Sequence, residues 1–136
     1  NLGIGAKYLA GDGVQTAEVL KLAADAAEGT YASSPGVPLN NMPQGPAFAE
    51  KYKAKFNQEI QLYAPYAYDA MNVMLEAMKK AGSTDPAKYL PELVNIQYQG
   101  VTGNIAFDEK GDIKGGGISL YQAKGGKWEY IETIGG

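Results

Sequence analysis

Two places in this sequence bring together side chains able to hold a small molecule. The first is Asp12, set between Gly11 and Gly13 in the run YLAGDGV over 8–14. The second is an aromatic cluster, Tyr63, Tyr66 and Tyr68, just ahead of the run AMNVMLEAMKKAG. A carboxylate on a loop can pair with a cationic group, and a tyrosine ring can lie against an apolar part, so the two together suit a small amphiphilic ligand. The structural alternative is that the tyrosines pack in a core with their hydroxyls satisfied, and that Asp12 is a turn residue.

Other chemistry is harder to place. The sequence has no histidine and no cysteine, which removes the commonest general base and metal ligand together with thiol nucleophiles and disulfides. No serine stands in G-x-S-x-G, and no carboxylate pair is localised by spacing, so nothing supports an enzyme. Gly3 and Gly5 would need a third glycine at position 8, which is Tyr8, and Gly115-Gly116-Gly117 lacks the lysine of a phosphate loop. Asp108, Glu109 and Asp112 do not meet the calcium-loop pattern and read as a tight hairpin. No cofactor is implied. A net charge of −3 and no basic cluster beyond Lys79-Lys80 leave no footprint for nucleic acid.

The elements that must position Asp12 and Tyr63 follow from the apolar pattern. Ala6–Leu9 is a strand candidate running into the Gly-Asp-Gly loop, and Thr16 can cap a helix with Ala17, Leu20, Ala24 and Ala27 at helical spacing. A second strand over 30–33 completes a βαβ order, in which ligands gather beyond the carboxyl ends of the strands; Asp12 lies at such an end. The stretch SPGVPLNNMPQG over 34–45, with three prolines, two glycines and two asparagines, is an irregular connection and a candidate hinge. Pro46 then opens a helix carrying Phe48, Tyr52 and Phe56.

The next helix has Pro65 in its first turn, Lys79 and Lys80 in its last, and Gly82 as its stop; Ala67, Ala70, Met71, Met74, Leu75 and Met78 form its apolar stripe. Asp85 caps a further helix whose expected buried side is Tyr89, Leu90, Leu93 and Val94. From Gln97 the helical period ends. Strands are expected over 104–107, 117–122 and 127–132, separated by turns at 108–112 and 124–126.

With these residues in view, the chain resembles the C-terminal part of a periplasmic branched-chain amino-acid-binding protein of the leucine/isoleucine/valine type, in the type I periplasmic binding protein family. The similarity runs over essentially the whole chain. It is carried by YLAGDGV with DAAEGTY (25–31), by YAYDAMNVMLEAMKKAG (66–82), and above all by GVTGNIAFDEKGD (100–112).

The resemblance implies an α/β fold of two parallel-sheet lobes with flanking helices around a cleft. On it, residues 1–35 would belong to the C-terminal lobe, 36–116 to a crossing and part of the N-terminal lobe, and 117–136 to the return to the C-terminal lobe. Length alone, at 136 residues, would suit one complete domain; the resemblance implies pieces of two, partnered by a missing N-terminal portion or a second chain. It further implies a non-enzymatic extracytoplasmic protein that binds an aliphatic amino acid and passes it to the membrane component of an ABC transporter. Asp12 matches the family's acidic ligand to the ammonium group, although the best-known members carry the longer glutamate, and Tyr63 matches an aromatic contact. The alternative is one half of a split or engineered ligand-sensing protein.

Overall fold

The computed structural model describes residues 5–136; Gly3 of the phosphate-loop comparison lies outside them. The chain divides into two compact units, one running through Pro38 and resuming over Gly116–Gly136, the other spanning Leu39–Gly115.

The first unit is built on a four-stranded sheet in the order β1-β2-β5-β6. Strand β1 (Leu9–Ala10) runs parallel to β2 (Tyr31–Pro35), with Leu9 opposite Tyr31 and Ala10 opposite Ala32. Between them lies α1 (Ala17–Ala23), shorter than the expected helix because it stops at Ala24, at φ +45°; its first turn is closed by the Val19 amide donating to Thr16 Oγ1 at 3.2 Å. A short 3₁₀ turn (Ala24–Ala27) and Gly29, at φ +79°, lead into β2. The sheet is mixed rather than wholly parallel. Strand β5 (Ile118–Lys124) pairs antiparallel with β2 and also with β6 (Lys127–Ile134), the latter because Gly125 and Gly126 sit at φ +55° and +75° and turn the chain straight back. The sheet's buried positions are small: Ala32, Ser34, Ser119 and Ala123.

The second unit is mainly helical: α2 (Gly45–Phe56), α3 (Ala64–Ala81) and α4 (Pro86–Val94), with a short antiparallel pair, β3 (Tyr98–Gln99) and β4 (Asn104–Ile105). Pro46 and Pro65 fall in first turns, where their missing amides break no helical bond. Gly82 ends α3 at φ +61°, and the Ser83 amide reaches back to the Met78 carbonyl at 3.1 Å. Asp85 caps α4, its Oδ1 accepting from the Ala87 amide at 3.0 Å. Val73, Ala77, Ile96 and Ile105 form the core of this unit, with Leu93, Tyr98 and Phe107 against it.

Two expectations about helix faces are corrected. The buried positions of α3 are Pro65, Asp69, Val73 and Ala77, while Met71 and Leu75 of the expected stripe are 61% and 53% exposed. On α4, Leu93 packs inward but Leu90 and Val94 are largely exposed. A 3.6-residue period shows that a helix has an apolar stripe, and α3 has two candidate faces; which face these residues bury is decided by the partner, here the loop that Asp69 binds and the β3-β4 pair.

Candidate functional site

Asp12 and Tyr63 belong to different units, and each is set by its own surroundings. Asp12 opens a single 3₁₀ turn (Asp12–Val14) directly beyond the carboxyl end of β1 and is half-buried. The backbone bonds of this turn are local: Val14 N–H to Gly11 carbonyl at 3.1 Å, and Gln15 N–H to Asp12 carbonyl at 3.0 Å. Neither flanking glycine adopts a positive φ, Gly11 standing at −81°. A Cβ at Gly11 or Gly13 would meet nothing within 4 Å, so what the glycines provide is open space on both sides of the aspartate.

Side chains tie this turn to the sheet. Gln15 Oε1 accepts from Ser34 Oγ, whose residue is only 3% exposed on β2. On β5, burial pushes the Tyr121 phenol above its ordinary pKa, while the Gln15 and Ser119 side chains pull it the other way. One residue on, the Thr16 carbonyl accepts from Trp128 Nε1 on β6 at 3.1 Å. Strands β2 and β6 therefore both tie down the chain just beyond Asp12.

Tyr63 is the N-cap residue of α3, outside the helix proper and 49% exposed, so its ring is not part of the unit's core. Tyr68, one turn further on, is also half exposed and stacks at a tilt on Phe48 of α2, with ring centroids 5.0 Å apart. Below this entrance, Asp69 is fully buried: one oxygen accepts from the Val101 amide at 2.9 Å, the other from the Thr102 amide at 2.8 Å and hydroxyl at 2.7 Å. Asp69, Gln15, Ser34 and Trp128 were not singled out from sequence. Asp69 carried a signal, a carboxylate in a mostly apolar helix; the other three carried none, because their partners lie 19 or more positions away.

A groove of about 340 Å³ lies between α4 and the 107–113 hairpin, floored by Leu90, Leu93, Val94 and Phe107. It includes neither Asp12 nor Tyr63, and of the two acidic residues that line it, Asp108 and Glu109, Asp108 is engaged by the Lys110 and Asp112 amides of its own turn. Among the described residues, no cluster of three or more potential metal ligands occurs, and no helix is long and apolar enough to cross a membrane.

The fold is therefore α/β, with a strand-end loop carrying a half-buried carboxylate in one unit and an aromatic helix entrance in the other. Residues 1–127 match the model of the periplasmic binding protein family, and the chain belongs to that family. A leucine-, isoleucine-, valine-, threonine- and alanine-binding protein of Pseudomonas aeruginosa is 32% identical over 120 residues, covering 88% of this chain and 32% of that protein. A Leu/Ile/Val-binding protein homolog of Brucella suis is 36% identical over 96% of this chain and 36% of its own length.

Among solved structures, a leucine-binding protein from Thermotoga maritima superposes with a TM-score of 0.82 at 29% identity, covering 98% of this chain and 38% of that one. A branched-chain amino acid transporter substrate-binding protein from Streptococcus pneumoniae, in complex with isoleucine, gives 0.78 at 26% identity, covering 99% and 39%. The chain spans about a third of the length of the curated relatives it matches.

Proposed function

We propose that this chain is the C-terminal part of an extracytoplasmic solute-binding protein that takes an aliphatic amino acid into a cleft between two lobes and delivers it to an ABC transporter. The observation that carries the reading is Asp12, a carboxylate held at the carboxyl end of β1 with open space on either side, in a chain whose relatives are named for binding leucine, isoleucine and valine. Asp12 pairs with the ligand's ammonium group, since a charge-assisted hydrogen bond is about twice as strong as a neutral one. Tyr63 offers its ring to the ligand from the other lobe.

The lobe assignment, residues 1–35 with 117–136 in one lobe and 36–116 crossing to and forming part of the other, is supported by the division of the chain after Pro38 and before Gly116. The rest of the protein supplies the remaining strands and the surface that covers Met71, Leu75, Leu90 and Val94, which are too apolar for a face left in water. The protein performs no bond chemistry; closure around the ligand is its output. Titration calorimetry of the complete protein with leucine, isoleucine and valine should show saturable one-to-one binding of at least one of them. Absence of binding to all three would contradict the reading.

A further inference from the structure

A single 3₁₀ turn closed by its own backbone bonds has little to fix it in space, yet a carboxylate that must meet an ammonium group has to be held closely. Beside the Trp128 bond to the Thr16 carbonyl, the loop of Asp12 is tied to the sheet by the Gln15 side chain. Gln15 caps the turn at its C-terminal end, and its side-chain carbonyl oxygen accepts from the Ser34 hydroxyl on β2. Ser34 is buried in the sheet, on β2 opposite Ser119 of β5, so the anchor is part of the ladder itself.

The Asp12 carbonyl in turn accepts from the Gln15 amide at 3.0 Å, which couples the anchor directly to the residue at the strand end. Released from Ser34, the turn would keep its backbone bonds and the Trp128 bond to Thr16 but lose its side-chain tie to β2. The buried Ser34 hydroxyl would also lose its acceptor.

We propose that Gln15 is a positioning residue for the ligand's ammonium group: anchored by Ser34, it fixes the turn that aims Asp12 and so sets selectivity for amino acids over their des-amino analogues. This rests on the assignment of Asp12 given above. It predicts that Gln15 acts through Asp12, not through stability in general.

The test uses the complete protein and two probes, leucine and 4-methylpentanoate, which keeps the carboxylate and apolar chain but lacks the ammonium group. Gln15→Met, which keeps the bulk and loses the hydrogen bond to Ser34, should weaken leucine binding about tenfold, the equivalent of roughly one hydrogen bond, and leave binding of 4-methylpentanoate unchanged. Ser34→Ala should do the same from the strand side, with unfolding curves recorded for both variants. In an Asp12→Asn background, neither change should weaken leucine binding further.

Equal losses for the two probes, or additive losses in the Asp12→Asn background, would make Gln15 merely structural and overturn the inference. Unchanged leucine binding in Gln15→Met would overturn it too. If Asp12→Asn itself binds leucine as the wild type does, the assignment of the site fails and the inference falls with it. An intact effect of Asp12→Asn beside a silent Gln15→Met removes the inference alone.

Discussion

Asp69 and Thr102, which lie 33 positions apart, meet at one carboxylate oxygen: Asp69 Oδ2 accepts both the Thr102 amide, at 2.8 Å, and its hydroxyl, at 2.7 Å. The other oxygen takes the Val101 amide, so a fully buried carboxylate on α3 is saturated by a single turn. That turn is closed by the Gly100 amide on the Gly103 carbonyl at 2.8 Å, with Gly103 at φ +132°. Two of the sequence stretches that carry the family resemblance, 66–82 and 100–112, are joined at this point. Asp69→Asn puts an amide where an acceptor for two donors is needed, and it should lower stability by about 1–3 kcal/mol. Denaturant unfolding of the complete protein checks this, and a change below 0.5 kcal/mol, about the size of an ordinary surface substitution, would contradict it.

Gly100 makes the same contact falsifiable from the other side. A Cβ there would lie 2.4 Å from Asp69 Oδ2 and 2.8 Å from Oδ1, so Gly100→Ala must push the carboxylate out of its three hydrogen bonds. Overpacking of this kind costs about 1–3 kcal/mol. Because both substitutions break one contact, the double variant Asp69→Asn with Gly100→Ala should lose less than the sum of the two, and strict additivity would show that they act independently.

Alkali should weaken the second unit through Tyr98. Burial first, and then the charge of Asp69, raise this phenol above its ordinary pKa of 10.0. Below pH 10 both folded and unfolded forms keep the proton, and the contribution to stability is whole. Above it the unfolded chain ionises first and binds fewer protons, so stability falls as pH rises toward the folded pKa. Tyr98→Phe should flatten the stability profile above pH 10; an unchanged slope would exclude Tyr98 as its source.

The exposed stripe of α3 offers a sharp contrast of magnitudes. If the rest of the protein covers Leu75, as proposed, Leu75→Ala in the complete protein should cost about 2–5 kcal/mol, the usual range for a buried leucine. If this side faces water there, the change should stay within about 0.5 kcal/mol. Thermal and denaturant unfolding distinguish the two outcomes directly.

How far the sequence could be read depended on whether the information was local. Thr16, Asp85, Pro46, Pro65 and Gly82 were legible as helix ends because a cap or a stop depends on residues within one turn, and each stands at the expected boundary. The parallel pairing of β1 and β2 followed from the strand-helix-strand order, and the β5-β6 hairpin from Gly125-Gly126. The buried face of α3 was not legible, since its choice between the Met71 side and the Val73 side depends on which surface is supplied from elsewhere. The Asp69 clamp and the Gln15 anchor were missed for the same reason: a hydrogen bond spanning 33 or 19 positions leaves no periodicity behind. Asp12 and Tyr63 could be picked out as candidates from residue type and loop context; their roles rest on the family resemblance and on the placement of each within its unit.

Tyr63 should contribute to the ligand and little to the fold. It is half exposed at the N-cap of α3, so Tyr63→Ala should leave unfolding nearly unchanged while weakening amino-acid binding by about 0.5–2 kcal/mol, the range for a cation over an aromatic face. A loss of stability without a loss of affinity would return Tyr63 to the role of a packing residue.

Calorimetric titration of the complete protein and its Asp12→Asn variant with a branched-chain amino acid, beside their unfolding curves, tests the central claim most directly. Asparagine keeps the shape of Asp12 and removes its charge. Binding should weaken by about 2–5 kcal/mol, the cost of breaking one side of a desolvated charge pair, while stability changes by less than about 0.5 kcal/mol. Unchanged affinity in Asp12→Asn would contradict the account and leave Asp12 a turn residue.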